Sequence, residues 1–235
     1  MNRLAVMQPY LFPYIGYFQL MKAVDHFVLF DDAHFINKGW VNRNRLLLNG
    51  QAHLFSMPLK GASQNKRICE IELGDVAVWK RKFLATLSQA YRAAPYRDRV
   101  VALVDQALDP AISSLDELLR NALRQVARQL GIGTPIVGTS RVYDNQYLKG
   151  ADRILDICRQ EQATDYVNAI GGVELYDRAQ FRAKSVELRF LRTCTNPYVQ
   201  GNSRRAFVPS LSILDVMMFN SYEESQELLH QYELV

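Results

Sequence analysis

Hydrophobic and polar positions along the chain predict an alternation of strands and helices. The apolar run at 4–7 predicts a strand, residues 15–23 a helix, and the apolar run at 27–30 a second strand. Strand, helix and strand within about thirty residues form a βαβ unit, whose strands are parallel and joined by a right-handed crossover. The opening of the chain therefore predicts a parallel sheet that binds ligands at the carboxyl ends of its strands.

A polar, basic stretch follows at residues 34–49 and is too polar for a core element. The runs 53–59 and 67–73 come next, and the second alternates apolar with polar side chains, as a strand with one buried face does. Together these two runs predict a hairpin.

Helical patterning covers most of residues 78–130. The clearest helix is 114–130, whose leucines recur at helical spacing and whose start at Ser114 and Glu117 predicts a capping box. We expect this helical insertion to lie within one α/β domain that covers residues 1–235.

The last third alternates again between strand and helix patterns. Residues 135–138 predict a buried strand and residues 207–215 a strand-like piece that ends at a helix start. The other predicted elements are a helix at 151–159, strands at 166–167 and 186–191, and helices at 212–219 and 221–232, the last with a capping box at Ser221 and Glu224. The alternation predicts an α/β fold with a mainly parallel, Rossmann-like sheet.

Composition excludes a disordered or fibrous chain, because 49% of the 235 residues are hydrophobic and 22% are charged. The net charge of +4 comes from scattered basic residues, so it permits an anionic partner without indicating one. The three cysteines lack metal or redox spacing, which favours reduced thiols. No run approaches a membrane span, and the start lacks a cleavage signal, so we expect a cytoplasmic protein.

Adjacent carboxylates at the end of the second strand are the first candidates for chemistry. Asp31 and Asp32 are placed to hold Mg²⁺ or orient a nucleophile, or else to cap the next segment and face solvent. His34 is the one histidine close to other polar candidates, and it is either catalytic or an ordinary loop residue. Dinucleotide, P-loop and serine-hydrolase motifs are absent from the sequence.

The run from Lys38 to Arg45 combines cations with amides. Lys38, Arg43 and Arg45 are suited to grip phosphate groups, with Asn42 and Asn44 donating further hydrogen bonds. A solvated loop is the alternative.

Two later segments offer weaker candidates. Ser212 stands at a predicted helix start, where free amides bind phosphate, although it is equally suited to be a simple N-cap. Gly171 and Gly172 permit either close backbone approach to a ligand or a turn.

Three sequence blocks near the start resemble the WbqC-like family. They are Gln-Pro-Tyr-x-x-Pro-Tyr-x-Gly-Tyr-Phe at 8–18, Asp-x-Phe-Val-x-x-Asp-Asp-x-x-Phe at 25–35, and Trp-x-Asn-Arg-Asn at 40–44. The later blocks that look like this family are Tyr166, Gly-Gly-x-x-x-Tyr at 171–176, Pro-Tyr-x-Gln at 197–200 and Leu-Ser-Ile-Leu-Asp at 211–215. Two positions depart from its pattern, Gln19 where an acidic or aromatic residue is usual and His34 where glutamine is common, so specificity is expected to differ.

The resemblance implies a setting in bacterial O-antigen and surface-polysaccharide biosynthesis. It is consistent with transfer of an acyl or aminoacyl group to an amino sugar carried on a nucleotide. ATP with Mg²⁺, forming an adenylate, is one source of the acyl group, and a preformed donor such as aminoacyl-tRNA or a thioester is another. A subunit that binds sugar nucleotides without catalysis is the third hypothesis.

A second resemblance concerns layout. The first strand, a proline-containing loop and Gly16-Tyr17 opening a helix are similar to the arrangement in nucleotidylyltransferases and pantothenate synthetase, although both histidines of their loop are missing here. This similarity supports the fold more than the activity.

These arguments name two groups of candidate residues. The catalytic candidates are Asp31, Asp32, His34 and Lys38. The nucleotide- or substrate-binding candidates are Gln8, Pro9, Tyr10, Gly16, Tyr17, Trp40, Asn42, Arg43, Asn44, Tyr166, Gly171, Gly172, Tyr198, Gln200 and Ser212.

Overall fold

The fold is that of a computed structural model, which describes residues 1–201 and 206–235. The strands are β1 (Arg3–Met7), β2 (His26–Leu29), β3 (Arg43–Leu48), β4 (Gln51–Ser56), β5 (Leu59–Lys60), β6 (Glu72–Leu73), β7 (Ile136–Val137), β8 (Asp165–Ala169), β9 (Glu187–Thr193) and β10 (Tyr232–Leu234). The helices are α1 (Ile15–Lys22), α2 (Val76–Ala90), α3 (Arg97–Ala107), α4 (Leu115–Gln129), α5 (Gly150–Gln160), α6 (Arg178–Arg182), α7 (Ile213–Phe219) and α8 (Tyr222–Leu229).

A six-stranded sheet forms the centre of the protein, in the order β10-β9-β8-β1-β2-β7. All neighbouring strands are parallel except β10, which runs antiparallel to β9. Val6 of β1 lies beside Val28 of β2, and Leu4 lies between His26 and Tyr166. The predicted α/β class with a mainly parallel sheet is confirmed.

The strand order is that of a doubly wound, Rossmann-like sheet, because chain order runs outward from β1 on one side and then from β8 on the other. Its two faces are covered by different helices. Ala5, Phe27 and Leu29 share one core cluster with α1. Leu4 and Val28 share the other cluster with α5 and α6. The carboxyl ends of β1 and β8 therefore flank the point where the winding direction reverses, which is where such sheets bind ligands.

The hairpin prediction was wrong in its position. The real hairpin joins β3 to β4 through Asn49 and Gly50, whose φ angles are 54° and 79°. An Asn-Gly pair between apolar runs is the strongest short-range hairpin signal, so the sequence contained the information. Of the predicted pairing only a short contact remains, with Leu59 of β5 opposite Leu73 of β6.

The polar stretch 34–49 also proved to contain a core element, contrary to expectation. β3 buries Asn44, Leu46 and Leu47, while its arginines point outward. The arginines masked the alternation, because a strand with one buried face needs only every second residue to be apolar.

The helices α2, α3 and α4 confirm the helical patterning between β6 and β7. The capping box predicted for α4 is wrong, since the Ser114 side chain donates to Asp116 and accepts no hydrogen bond from the amides of the first turn. Gly131 ends the helix with a φ of 62°.

Three smaller expectations are corrected. The strand at 135–138 is β7, a half-buried edge strand rather than a buried one. The strand-like piece at 207–215 is not a strand where the structure describes it, and α7 begins at Ile213. The last predicted helix is shorter than expected and gives way to β10, although the Ser221–Glu224 capping box is confirmed.

Across the described residues, no helix is both long and apolar enough to cross a membrane.

Candidate functional site

An aromatic cleft opens beside the loop that follows β1. Its volume is about 320 Å³, within the lower range of small-molecule sites. The residues that line it are Tyr10, Tyr14, Trp40, Asn44, Arg45 and Ser210, and we call it the Trp40 cleft. Tyr10, Trp40 and Asn44 were predicted as binding residues, so three of the candidates meet here.

Trp40 presents a largely open aromatic face with two cations against it. The Trp40 side chain is 48% exposed, and its ring centroid lies 5.4 Å from the guanidinium carbon of Arg45 and 6.0 Å from that of Arg43. Such guanidinium–indole contacts are attractive and hold the cations beside the ring. The cleft therefore combines a stacking surface with positive charge.

Backbone contacts fix both arginines in place. Arg43 Nε donates to the carbonyl of Gly39 at 2.6 Å, and Arg45 Nη2 donates to that of Ser210 at 3.0 Å. Arg45 Nε is buried and has no hydrogen-bond partner within the described chain. Neither arginine forms an ion pair with a carboxylate of a described residue, so both positive charges are uncompensated locally.

Two helices begin near the walls of the cleft. Helix α1 starts directly after Tyr14, and α7 starts three residues after Ser210. The Ile213 amide donates to the carbonyl of Pro13 at 2.7 Å, which joins the two starts. The N-terminus of α1 carries partial positive charge and favours anions, whereas the first amides of α7 already donate to Pro13 and Ser212.

A strained residue, Phe12, shapes the loop between β1 and α1. Its φ of 44° is in the left-handed region, which costs a bulky residue about 1–2 kcal/mol. Asn44 Nδ2 and Ser212 Oγ donate to the Phe12 carbonyl at 2.7 and 2.8 Å. Asn44 and Ser212 are almost fully buried, so they act as positioning residues that hold this turn.

The predicted carboxylate pair lies apart from these contacts, in a buried polar network. Asp31 is 1% exposed, and its Oδ1 accepts hydrogen bonds from Thr139 Oγ1 and the Ser140 amide, both at 2.9 Å. Its Oδ2 lies 3.1 Å from Arg141 Nη2, which also pairs with the buried carboxylate of Asp116 at 3.0 Å. Asp31 thus ties the loop after β2 to the loop after β7.

Asp32 is paired more tightly still. Its Oδ2 accepts from Arg153 Nη2 and its Oδ1 from Ser140 Oγ, both at 2.5 Å. Burial by itself would raise the pKa of Asp32, but the hydrogen bonds from Arg153 and Ser140 outweigh it and hold the pKa below its ordinary value. Asp32 is therefore an ionised partner of a buried arginine.

The donor set around Asp31 and Asp32 does not fit a magnesium ion. Each carboxylate already pairs with an arginine, and its oxygens accept hydrogen bonds or face a guanidinium. The described residues also contain no cluster of three or more His, Cys, Asp and Glu side chains arranged to hold a metal.

Tyr198 and Gln200 meet at another buried carboxylate, Asp215. Tyr198 OH and Gln200 Nε2 donate to its Oδ2 at 2.6 and 2.7 Å, and Tyr91 OH donates to its Oδ1 at 2.9 Å. Burial raises the pKa of Asp215, and these hydrogen bonds only partly oppose it. Gln200 also exchanges two hydrogen bonds with the backbone of Val208, so the cluster anchors the loop after β9.

Several other candidates at the start of the chain are structural. Gly16 lets α1 pack on β9, because a Cβ there would lie 2.5 Å from Thr193 Oγ1. Tyr17 is buried and donates to the Gln8 carbonyl at 3.2 Å, and Pro9 is buried beside it. Gln19 is also buried and bonds to the Leu228 carbonyl of α8 at 2.8 Å, so it joins two helices.

The candidates on and after β8 divide in the same way. Tyr166 lies in the core. A Cβ on the buried Gly172 would lie 2.5 Å from Asn168 Nδ2, whereas Gly171 is exposed with open space around it. Gly171 and the half-buried side chain of Gln8 follow β8 and β1, which places them at the reversal point of the sheet.

The remaining candidates lie in the segment before and within β3. His34 is exposed, and its backbone pairs with Arg67. Lys38 is exposed with a φ of 58°. Asn42 Nδ2 donates to the Met57 carbonyl at 2.7 Å, which braces the hairpin.

Sequence reasoning missed the partners of the aspartates. Thr139 and Ser140 follow β7, so the rule that parallel strands end at one edge was sufficient to place them near Asp31. Arg153 carries no such signal, since an arginine inside an amphipathic helix usually faces solvent.

Comparison with known proteins places the chain in a family. The uncharacterized protein Rv1507c of Mycobacterium tuberculosis (strain ATCC 25618 / H37Rv) is 26% identical over 97% of this chain and 98% of its own length. Among solved structures, no match was found. The pattern of the WbqC-like protein family matches residues 8–227, and the chain therefore belongs to that family.

Proposed function

We propose that this protein binds a nucleotide-linked amino sugar in the Trp40 cleft and transfers an acyl or aminoacyl group to the sugar's amine, in surface-polysaccharide biosynthesis. The observation that carries the proposal is the contact of Arg45 and Arg43 with the exposed face of Trp40. A nucleotide sugar presents a flat base next to a diphosphate, which is the complement of that arrangement.

The lining supports recognition in two parts. The Trp40 ring stacks on a base or sugar, and Arg45 has further guanidinium donors, besides the one given to the Ser210 carbonyl, to pair with phosphate oxygens. The start of α1 favours the same negative charge. Burial raises the pKa of Tyr10, so its phenol remains a hydrogen-bond donor at neutral pH.

The transfer itself needs an amine and an activated acyl group. The amine nitrogen attacks the acyl carbon, the bond from that carbon to the donor's oxygen or sulfur breaks, and a proton from the amine ends on the leaving group. The products are an amide and the free hydroxyl or thiol of the donor.

A preformed donor fits the site better than ATP. An adenylation step would use a magnesium ion near the triphosphate, and the carboxylates nominated for that role, Asp31 and Asp32, are engaged by Arg141 and Arg153. An aminoacyl ester or a thioester needs no such ion.

The two tryptophans of the chain provide a direct binding test. Trp79 stacks on Phe83 with ring centroids 4.8 Å apart, so the variant Trp79→Phe keeps an aromatic ring there and leaves Trp40 as the sole indole. Titration of this variant with UDP-sugars, UDP, ATP and coenzyme A is expected to quench Trp40 fluorescence with the nucleotide sugars.

The matched control is Trp40→Phe, in which Trp79 fluorescence should not respond. Trp40→Ala, whose affinity is measured by isothermal titration calorimetry because it lacks the reporting indole, is expected to bind about tenfold or more weakly, since stacking on a base contributes about 1–3 kcal/mol. No quenching by any nucleotide sugar, or equal affinity of Trp40→Ala, would refute the proposed binding site.

Catalysis is tested by mass spectrometry of an amino-sugar nucleotide incubated with aminoacyl-tRNA, with an acyl thioester, or with ATP, Mg²⁺ and amino acids. The proposal expects an amide product with a preformed donor. Product formed only with ATP, with release of AMP, would replace the preformed-donor route by adenylation.

A non-catalytic sugar-nucleotide binding subunit is the second candidate. It is favoured by one observation: among the described residues that line the Trp40 cleft, none is Asp, Glu, His or Cys. Tight nucleotide-sugar binding without product from any donor would select this function.

A further inference from the structure

A groove runs along the outer edge of β7, on the side of the sheet away from β10. Two cavities of about 440 and 450 Å³ form it, and they share Arg124. One lies beside Gly138, after β7, and the other beside Gly131–Thr134, before β7. The groove therefore spans the full length of the edge strand.

Three arginines of α4 line the groove. Arg120, Arg124 and Arg128 are four residues apart, so they recur on one face of the helix and extend over about 12 Å along its axis. The opposite face of α4 is buried in the core, which fixes the direction of the arginine stripe.

The positive charge of the stripe is not balanced by carboxylates. Arg120 Nη1 and Arg124 Nη2 donate to the carbonyls of Gly138 and Ile136 at 3.1 and 3.3 Å. None of the three arginines forms an ion pair with a described residue. Glu117 is the one acidic residue among the described residues that line the two cavities.

We infer that this groove binds the phosphodiester backbone of an RNA strand. A stripe of about 12 Å is longer than one diphosphate group and suits an extended polymer with regularly repeated charges. The guanidinium fork of arginine matches phosphate oxygens in pairs. No aromatic side chain is present among the described lining residues. Binding therefore depends on phosphate charge and not on base identity.

The arginine contacts also indicate that a further β-strand would not pair with the edge of β7. An exposed strand edge offers backbone carbonyls to a further strand, and here Arg120 and Arg124 already occupy those of Gly138 and Ile136. The remaining hydrogen-bond donors of the guanidinium groups stay available to an anion.

These observations by themselves support RNA binding. A connection between RNA binding and acyl transfer rests on the proposed function. The groove ends at the carboxyl end of β7, the edge of the sheet at which the loop after β1 also begins. An RNA strand in the groove would bring an RNA-borne acyl group toward that edge.

The test is fluorescence anisotropy of a labelled single-stranded oligouridylate, measured in KCl from 25 to 200 mM. Three phosphate contacts predict a slope of log K against log salt of about −2 for the unmodified protein, at about −0.7 per contact. The variant Arg120→Ala/Arg124→Ala/Arg128→Ala is expected to reduce the slope to near zero.

The control variant removes the same charge elsewhere. Arg81, Lys82 and Arg92 are exposed on and after α2, and their triple alanine variant is expected to keep the slope. Arg128→Ala alone covers the case in which the groove triple variant fails to fold, since the Arg128 side chain makes no hydrogen bond to a described residue, and it should lower the slope by about 0.7.

Equal loss in the groove and control variants would overturn the inference, because it would indicate general charge attraction. Binding of heparin without binding of RNA would overturn it in favour of an acidic polysaccharide. The Trp79→Phe titration described above is expected to be unchanged in the groove variant, so failure of the groove and failure of the Trp40 cleft are separate results.

Discussion

The Asn44 side chain donates to the carbonyl of Phe12 at 2.7 Å and thereby holds a phenylalanine whose φ is 44°. The same Asn44 amide group lies 3.2 Å from the Leu11 carbonyl. One buried side chain on β3 therefore satisfies two carbonyls of the loop after β1, at the wall of the Trp40 cleft.

Asn44→Ala is expected to lower the free energy of unfolding by about 1–3 kcal/mol, because the buried Leu11 carbonyl loses this donor and the Phe12 carbonyl keeps only the bond from Ser212. It should also weaken nucleotide-sugar binding, since the turn at Phe12 relaxes toward an ordinary φ. Urea unfolding and the Trp40 titration measure the two effects. Asn42→Ala is the matched control, because Asn42 braces the hairpin at Met57 and should affect stability alone. A folded Asn44→Ala protein with unchanged affinity would contradict the positioning role.

Asp32→Asn is expected to destabilise the protein by about 3–5 kcal/mol, because it leaves the buried Arg153 without its charged partner. The folded pKa of Asp32 is below its ordinary value, so the stability that its charge contributes is present above an unfolded pKa of about 3.9 and is lost as the pH falls. The difference in unfolding free energy between wild type and Asp32→Asn should therefore shrink in acid. A variant of normal stability that has lost catalysis would instead indicate a catalytic aspartate.

Asp215 should show the opposite pH dependence. Its folded pKa is raised by burial, so its ionisation costs the folded state more than the unfolded one. Stability contributed by Asp215 therefore falls as the pH rises from its unfolded pKa of about 3.9 through the folded pKa. The unfolding free energies of wild type and Asp215→Asn between pH 4 and pH 7 test this. A wild-type stability that rises with pH relative to that of Asp215→Asn would contradict the prediction.

The three cysteines are expected to react with a thiol reagent in a fixed order. Cys194 is exposed, Cys69 is partly buried and Cys158 is buried. Burial raises the pKa of Cys69 to about 11 and that of Cys158 to about 12, so both remain protonated at neutral pH, whereas the thiolate is the reactive form. Mass spectrometry after timed labelling at pH 7.5 should find Cys194 modified first. Early modification of Cys69 would indicate that its environment differs from the one described.

The sequence by itself determined the βαβ opening, the mainly parallel sheet and most helices, because those depend on apolar periodicity between near neighbours. It also predicted Tyr10, Trp40 and Arg43 as binding residues, because they lie in the blocks that resemble the family.

Only the tertiary structure decided what each polar side chain does. Asp31 and Asp32 look like free carboxylates in the sequence, and the fold brings Arg141 and Arg153 onto them from more than a hundred residues away. Asn44 and Ser212 look like ligand donors, and the fold turns both onto the Phe12 carbonyl. The physical reason is that a buried polar group must find a partner within hydrogen-bonding distance, and that partner is chosen by packing in space rather than by position along the chain.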